Sequence, residues 1–273
     1  MLNGLSASAP IGIFDSGVGG LSVLKAAQAQ LPFEHFIYFA DSGFAPYGDK
    51  SDAYVIARSE HIGAWLVSQE VKAIVVACNT ATAIAVQALR AKYSLPIVGI
   101  EPGLKPAIAA TRSDKVGVLA TARTLASERY ATLLARVQAQ SSHIDIIPRV
   151  GEAWVEQVER GDFDSPQTQK IVKRIVAPLI EAGCDTLVLG CTHYQFLTQA
   201  IKAAAPDATI IDTAPAVARE LKRRIATESV FNQGTLPGTA HLATTGDAAA
   251  VAQLFIRMLG INPQMVGAFV AMK

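Results

Sequence analysis

The chain has 273 residues, 51% of them hydrophobic, which is enough for a substantial core in one large domain or two small ones. Its formal net charge is +1 at pH 7, and the absence of a basic block interleaved with aromatic residues argues against nucleic acid as a partner. Three cysteines, Cys78, Cys184 and Cys191, are too few for a disulfide framework and fit a reducing compartment.

Short β-rich runs alternate with helical stretches along the first hundred residues. The strand runs are apolar almost throughout, and the stretches between them have helical spacing, which indicates a parallel sheet covered on both faces. In chain order we predict strand 11–14, helix 21–31, strand 36–39, helix 52–68, strand 73–77, helix 81–92 and strand 97–100.

The second half repeats this order, with strands predicted at 116–119, 143–147, 186–189 and 209–211. The residues that follow corresponding strands in the two halves are similar. Ser16 aligns with Thr121 and Cys78 aligns with Cys191, and the two pairs have similar separations along the sequence. We therefore predict an α/β fold of two pseudo-symmetric lobes, each a mainly parallel sheet flanked by helices, with the active site between them. The first lobe would hold residues 1–100 plus 213–273, including a strand at 241–244, and the second lobe residues 101–212.

Two features favour a soluble, cytoplasmic protein without a membrane partner. The first ten residues lack the cationic start and long apolar stretch of a secretory signal, so we expect no signal peptide. Polar residues such as Asn79 and Thr80 interrupt the longest apolar segments before they reach the length of a membrane span.

Polar and reactive side chains follow the predicted strands. Ligands of open parallel sheets bind beyond the carboxyl ends of the strands, so these residues are candidates for one site. If the lobes face each other about a pseudo-two-fold axis, Cys78 and Cys191 approach one substrate from opposite sides. The candidates are Asp15, Ser16, Asp41, Ser42, Cys78, Asn79, Thr80, Thr121, Cys191, Thr192 and His193.

The two cysteines are the strongest candidates for chemistry. A thiol at a strand-to-helix junction is suited to it, because the helix N-terminus favours the thiolate. One such cysteine is more often a small core residue, but two at equivalent ends of related halves favour function. Cys184 precedes its strand and is predicted to be structural. A zinc site is disfavoured, because Cys191 and His193 lack a convincing third and fourth ligand.

Two residues are candidates to assist the thiols. His193 lies two residues after Cys191, where it can lower the thiol pKa or exchange a proton with the sulfur. Asp15, at the end of the first strand, is the corresponding candidate for Cys78. Glu159 has the pattern of a solvated helical carboxylate, and spacing alone does not select it.

Two loops complete the predicted rim. The segment from Gly17 to Gly20 follows a strand and opens a helix, so phosphate binding is an alternative. Its third glycine is missing and Asp15 adds negative charge, so we favour a carboxylate or ammonium group of a small substrate. The loop from Asp41 to Gly48 is punctuated by Gly and Pro, and Tyr47 and Gly48 are candidate substrate contacts.

These segments resemble the glutamate racemase family, within the aspartate/glutamate racemase superfamily. The similarity lies in Asp15-Ser-Gly-Val-Gly-Gly20, Tyr38-Phe-Ala-Asp-Ser42 with Pro46-Tyr-Gly48, Ala77-Cys-Asn-Thr-Ala-Thr82, Gly190-Cys-Thr-His-Tyr194 and Thr244-Thr-Gly-Asp247. The resemblance implies interconversion of L- and D-glutamate for peptidoglycan synthesis, without a cofactor or metal, by a homodimer. Cys78 and Cys191 would exchange the α-proton, Asp15 and His193 would assist them, and residues 15–16, 47–48, 79–80 and 192–193 would hold glutamate.

Two departures from the family pattern stand out. Gln195 replaces the usual proline after the second cysteine motif, which should affect the start of the helix. The helical carboxylate of the family maps best onto Glu159, but Glu152 and Glu156 stay open.

Three other functions stay open from the sequence. These are a related aspartate or hydantoin racemase, a nucleotide-binding regulator, and a racemase relative that inhibits another enzyme. Activation by a cell-wall precursor is also left undecided.

Overall fold

The computed structural model describes residues 6–228 and 231–260, and within them the strands form two sheets in which every pairing is parallel. The first sheet has the order β4-β3-β1-β2-β9, and the second has the order β6-β5-β7-β8. The strands are β1 (Ile11–Asp15), β2 (Phe36–Ala40), β3 (Ala73–Val76), β4 (Ile97–Gly99), β5 (Lys115–Ala120), β6 (Asp145–Val150), β7 (Thr186–Gly190), β8 (Thr209–Ile211) and β9 (Ala240–Thr244).

Helices cross between successive strands, and polar residues cap the start of several of them. Ser51, Ser127, Ser165 and Asp247 each accept a backbone N–H from the first turn of the helix that follows. The helices are α1 (Leu21–Gln30), α2 (Asp52–Ser68), α3 (Asn79–Lys92), α4 (Leu104–Ala110), α5 (Ala122–Leu125), α6 (Glu128–Gln140), α7 (Trp154–Glu159), α8 (Pro166–Glu181), α9 (Thr198–Ala204), α10 (Ala214–Thr227) and α11 (Ala248–Leu259).

The core follows from the apolar strands. Every residue of β1, β3 and β7 is buried, as expected for strands with helices on both faces of the sheet. β6 and β8 are exceptions, because they lie at the two edges of the second sheet and all their residues are exposed or half-buried. In the described part of the chain, no helix is both long and apolar enough to span a bilayer.

The predicted α/β class and the parallel sheets are confirmed. β9 pairs with β2, so the C-terminal segment returns to the first sheet. The predicted start of α3 was two residues late, because Cys78 caps the helix and Asn79 begins it. The lobe boundaries stay a prediction, and residues 1–5, 229–230 and 261–273 of the predicted first lobe lie outside the described residues.

The carboxyl ends of the two sheets face each other. Hydrogen bonds cross between them, from Thr192 to Asp15, from the Val18 N–H to Glu159, and between Thr80 and Thr121. The residues that follow the central strands of both sheets therefore converge on one cleft.

Candidate active site

Cys78 lies just beyond the carboxyl end of β3, at the N-cap of α3. Its sulfur accepts the Ala81 N–H at 3.4 Å and lies 3.6 Å from the Ser16 hydroxyl. Burial and the neighbouring Asp15 charge raise the pKa of Cys78 to about 12, although the contacts from Ala81 and Ser16 oppose this. The helix N-terminus does favour the thiolate through the Ala81 N–H, but burial outweighs this contribution. Cys191 is also among the groups that raise the pKa of Cys78, so the two side chains are close enough to interact through their charges.

Cys191 follows β7 and is 6% exposed, close to the 5% of Cys78. Its sulfur lies 3.9 Å from Nδ1 of His193. A 3₁₀ helix, Thr192–Leu197, begins after it in place of an α-helix, so Cys191 has a shorter helix behind it than Cys78. The departure at Gln195 lies within this turn.

Asp15 is completely buried at the end of β1 and is held by groups from both lobes. One carboxylate oxygen accepts the Gly17 N–H at 2.8 Å, and the other accepts the Thr192 hydroxyl at 2.8 Å. The Ser16 hydroxyl is a weaker donor, at 3.3 Å. Burial raises the pKa of Asp15, against the opposing effects of His193, Thr192 and Gly17.

His193 joins the second thiol to a carboxylate. Its Nε2 is 2.6 Å from Oε1 of Glu159, while Nδ1 faces Cys191. Burial lowers the pKa of His193, but its hydrogen bonds to Cys191 and Glu159 and the charges of Asp15 and Glu159 raise that pKa well above 6.5 overall. The cationic form of the imidazole is therefore favoured between the Glu159 carboxylate and the Cys191 thiol.

Among the three open carboxylates, Glu159 is the one that reaches the site. Besides His193, it accepts the Val18 N–H at 2.7 Å and the Ser42 hydroxyl at 3.1 Å, both from the opposite lobe. Glu152 instead lies on the surface, where its side chain is 73% exposed and 3.5 Å from Arg174.

The glycine loop after β1 is covered by side chains of the second lobe. A Cβ added at Gly17 would lie 1.9 Å from Oε1 of Glu159, and one added at Gly19 would lie 2.3 Å from Nδ1 of His193. The small residues thus make room for a carboxylate and an imidazole, and not for a phosphate. This removes the observation on which the nucleotide alternative depended.

Asp41 does not present a free carboxylate to the cleft. It is completely buried, and it accepts hydrogen bonds from Tyr47 at 2.5 Å, from Thr245 at 2.9 Å, and twice from Arg58 at 2.7 and 3.0 Å. Burial and the Asp41 charge raise the pKa of Tyr47, so its hydroxyl stays a donor. Sequence reasoning missed Arg58, because a lone arginine on an amphipathic helix has the pattern of a surface residue.

Three threonines meet where the lobes approach. The Thr80 hydroxyl is 3.0 Å from that of Thr121 and 3.3 Å from that of Thr124. A Cβ added at Gly48 would lie 3.3 Å from Thr121, so the loop from Asp41 to Gly48 also reaches these threonines. The buried Asn79 side chain has no hydrogen-bond partner on either amide atom, so it is available to a ligand.

Thr124 is the other residue that sequence reasoning missed. Its position three residues after Thr121 is a capping pattern that could have identified it. Among residues 6–228 and 231–260, no three His, Cys, Asp or Glu side chains form a group that could hold a metal ion.

The fold and the paired thiols are those of a two-lobed α/β enzyme with its site between the sheets. The sequence model of the Asp/Glu/Hydantoin racemase family matches residues 20–221. The chain therefore belongs to the Asp/Glu/Hydantoin racemase family and, by its curated relatives, to the glutamate racemases, which are isomerases.

Individual relatives are similar over nearly the whole chain. The glutamate racemase of Methylococcus capsulatus is 48% identical over 240 residues, which cover 88% of each protein. The crystal structure of a Bacillus anthracis glutamate racemase has a TM-score of 0.85 at 31% identity and covers 97% of this chain and 99% of its own. A Francisella tularensis glutamate racemase in complex with D-glutamate has a TM-score of 0.82 at 26% identity, covering 97% and 100%. The predicted family and activity are confirmed.

Proposed function

We propose that Cys78 and Cys191 exchange the α-proton on opposite faces of glutamate and so interconvert its L and D forms without a cofactor. The observation that carries this proposal is the equivalent placement of the two thiols beyond β3 and β7, in one cleft. A racemase needs one thiolate and one thiol in each direction, and the roles exchange in reverse. Two thiols on opposite faces meet that requirement without turning the carbanion over.

The two thiols have different helpers. Cys78 has Asp15, whose charge acts on its pKa, and Ser16, which contacts its sulfur. Cys191 has the imidazolium of His193, which Glu159 holds in place. Because burial raises the pKa of Cys78, the protonated thiol is favoured on this face, which supports a role for Cys78 as the acid that meets the first substrate.

The α-proton of an amino acid is weakly acidic and a thiolate is a modest base. Preorganised donors must therefore stabilise the charge that develops on the substrate. Placing both sulfurs near Cα supplies a further large part of the barrier reduction, since well-oriented groups reach effective concentrations of about 10⁵–10⁸ M.

Substrate contacts are proposed for residues that line the cleft. Support is strongest for Asn79, whose buried amide lacks a partner in the unliganded protein. Asp41 is better suited to holding the loop that follows β2 than to touching substrate, because its oxygens are already occupied. Ser42 is better suited to holding Glu159, to which its hydroxyl donates at 3.1 Å. The proposed contacts are Asp15, Ser16, Tyr47, Gly48, Asn79, Thr80, Thr121, Thr192 and His193.

The biological setting is proposed from the family resemblance. D-Glutamate would be supplied to peptidoglycan synthesis in the cytoplasm, where the three unpaired cysteines fit a reducing environment. We also propose a homodimer, which sedimentation of the purified protein would test.

The experiment is incubation with L- or D-glutamate in D₂O without added cofactor. Loss of circular dichroism together with α-deuteration is expected, with deuterium entering the product before it enters recovered substrate. Cys78→Ala and Cys191→Ala should each abolish racemisation, and Cys184→Ala is the matched control. Full activity in either of the first two variants would refute the two-thiol proposal.

A further inference from the structure

Each helper carboxylate in the cleft is held by a group from the lobe opposite its own. Asp15, from the first sheet, accepts the Thr192 hydroxyl of the second lobe. Glu159, from the second lobe, accepts the Val18 N–H and the Ser42 hydroxyl of the first. The support of both thiols therefore depends on contact between the lobes.

Contacts from helix α2 hold the segment around Ser42 in place. Ser42 begins a 3₁₀ turn directly after Asp41, and the Asp41 carboxylate receives two hydrogen bonds from Arg58. The Arg58 guanidinium also lies 3.7 Å from the centre of the Phe44 ring, two residues beyond Ser42. A planar guanidinium that pairs bidentately and also stacks on a ring fixes geometry more closely than a lysine would.

We propose that Arg58 and Ser42 are positioning residues that hold Glu159 against His193 when the lobes are closed. This inference rests on the proposed function, since it assigns His193 to the support of Cys191. Contacts run from Arg58 to Asp41, from Ser42 to Glu159 at 3.1 Å, from Glu159 to His193 at 2.6 Å, and from His193 to Cys191 at 3.9 Å. Arg58 itself need not touch the substrate.

The position of Glu159 matters because of the charges that surround His193. The groups that face the imidazole are Glu159 from α7, Asp15 from β1 and the Cys191 thiol. A carboxylate that loses its Ser42 partner keeps only one donor from the first lobe and is free to turn away from Nε2. The imidazolium would then be less stabilised, and the pKa of His193 would fall.

The variants are Ser42→Ala and Arg58→Met, with Arg58→Lys as the conservative change. Ser59→Ala is the matched control, because Ser59 lies on the same helix, is buried, and has an unpartnered hydroxyl. The first readout is titration of the His193 imidazole by NMR, which is practical because the chain has five histidines. We expect a lower His193 pKa in Ser42→Ala and Arg58→Met, an intermediate value in Arg58→Lys, and no change in Ser59→Ala.

The second readout is racemase kinetics. Losing a hydrogen bond to a charged group corresponds to about a tenfold fall in kcat/KM or more. Because L- and D-glutamate have equal free energies, kcat/KM must fall by the same factor in both directions.

Unchanged titration and unchanged kcat/KM in folded Ser42→Ala and Arg58→Met would overturn the inference while leaving the racemase assignment intact. Failure of the wild-type chain to racemise glutamate would instead overturn the proposed function. The His193 titration would still decide the positioning role, because it needs no turnover.

Discussion

Replacing Gly19 with alanine should disable the second thiol while leaving the fold intact. The added Cβ would lie 2.3 Å from Nδ1 of His193, and the next nearest atoms also belong to that ring. An ordinary contact needs about 3.5 Å, so the imidazole must retreat by about 1 Å. It cannot do so freely, because Glu159 holds its other nitrogen at 2.6 Å.

A displacement of this size corresponds to roughly a 10²-fold loss of kcat/KM, or about 2.7 kcal/mol of transition-state stabilisation. The backbone at Gly19 is outside the left-handed region, so alanine adds no backbone strain, and the cost in stability comes only from displacing the imidazole, about 1–3 kcal/mol. The assay follows the circular dichroism of D-glutamate, with Gly234→Ala as the control. Wild-type kcat/KM in a folded Gly19→Ala protein would refute the proposed role of His193.

Three further changes have outcomes that the structure defines. With a pKa of about 12, about one Cys78 thiol in 10⁴ is ionised at pH 8. Asp15→Asn removes a charge that raises this pKa, so iodoacetamide should alkylate Cys78 faster in that variant. The rate is followed by mass spectrometry in a Cys191→Ala background. Glu159→Gln should lower the pKa of His193, since that pKa is now raised above its unfolded value of 6.5. The stabilisation from the His193–Glu159 pair is present below pH 6.5 and is lost as pH rises through the pKa of His193 in the folded protein. The free energy of unfolding of Glu159→Gln, measured in urea, should therefore depend less on pH than that of the wild type. Lys72→Met should lower the free energy of unfolding by about 3–5 kcal/mol, because it leaves the buried Glu34 without its ion-pair partner 2.5 Å away. Adding Glu34→Gln should restore part of that loss, because it removes the unpaired buried charge.

The elements were predictable from the sequence where the pattern was strong and local. Helix α2 was predicted with its observed bounds, because Ser51 caps it and its apolar spacing continues to its end. β7 and β3 were recognisable as buried strands followed by cysteine. The start of α3 was missed, because a cysteine acting as an N-cap is not a usual helix signal.

The contacts across the cleft were not predictable from spacing. Glu159 lies 34 residues before His193 and 141 residues after Val18, and only the closed arrangement of the lobes brings them together. Asp41 shows the opposite case, in which a carboxylate at a strand end was a reasonable substrate contact by position alone. In the structure, Arg58 and Tyr47 occupy its oxygens, which favours a role in holding the loop that follows β2.

The pKa of Cys78 was also beyond sequence reasoning. A helix N-terminus favours the thiolate, but burial beside Asp15 outweighs that contribution. The balance between two opposing effects depends on distances and exposure, which a motif does not carry.

The central claim is that the two thiols act on opposite faces of one carbon. It is tested most directly with each enantiomer of a glutamate analogue that has a leaving group on Cβ. Elimination needs one thiolate to remove the α-proton while the leaving group departs with its electron pair, so one thiol suffices. We predict that Cys78→Ala and Cys191→Ala each release the leaving group from one enantiomer only, and from opposite ones. Release from the same enantiomer by both variants would contradict the account.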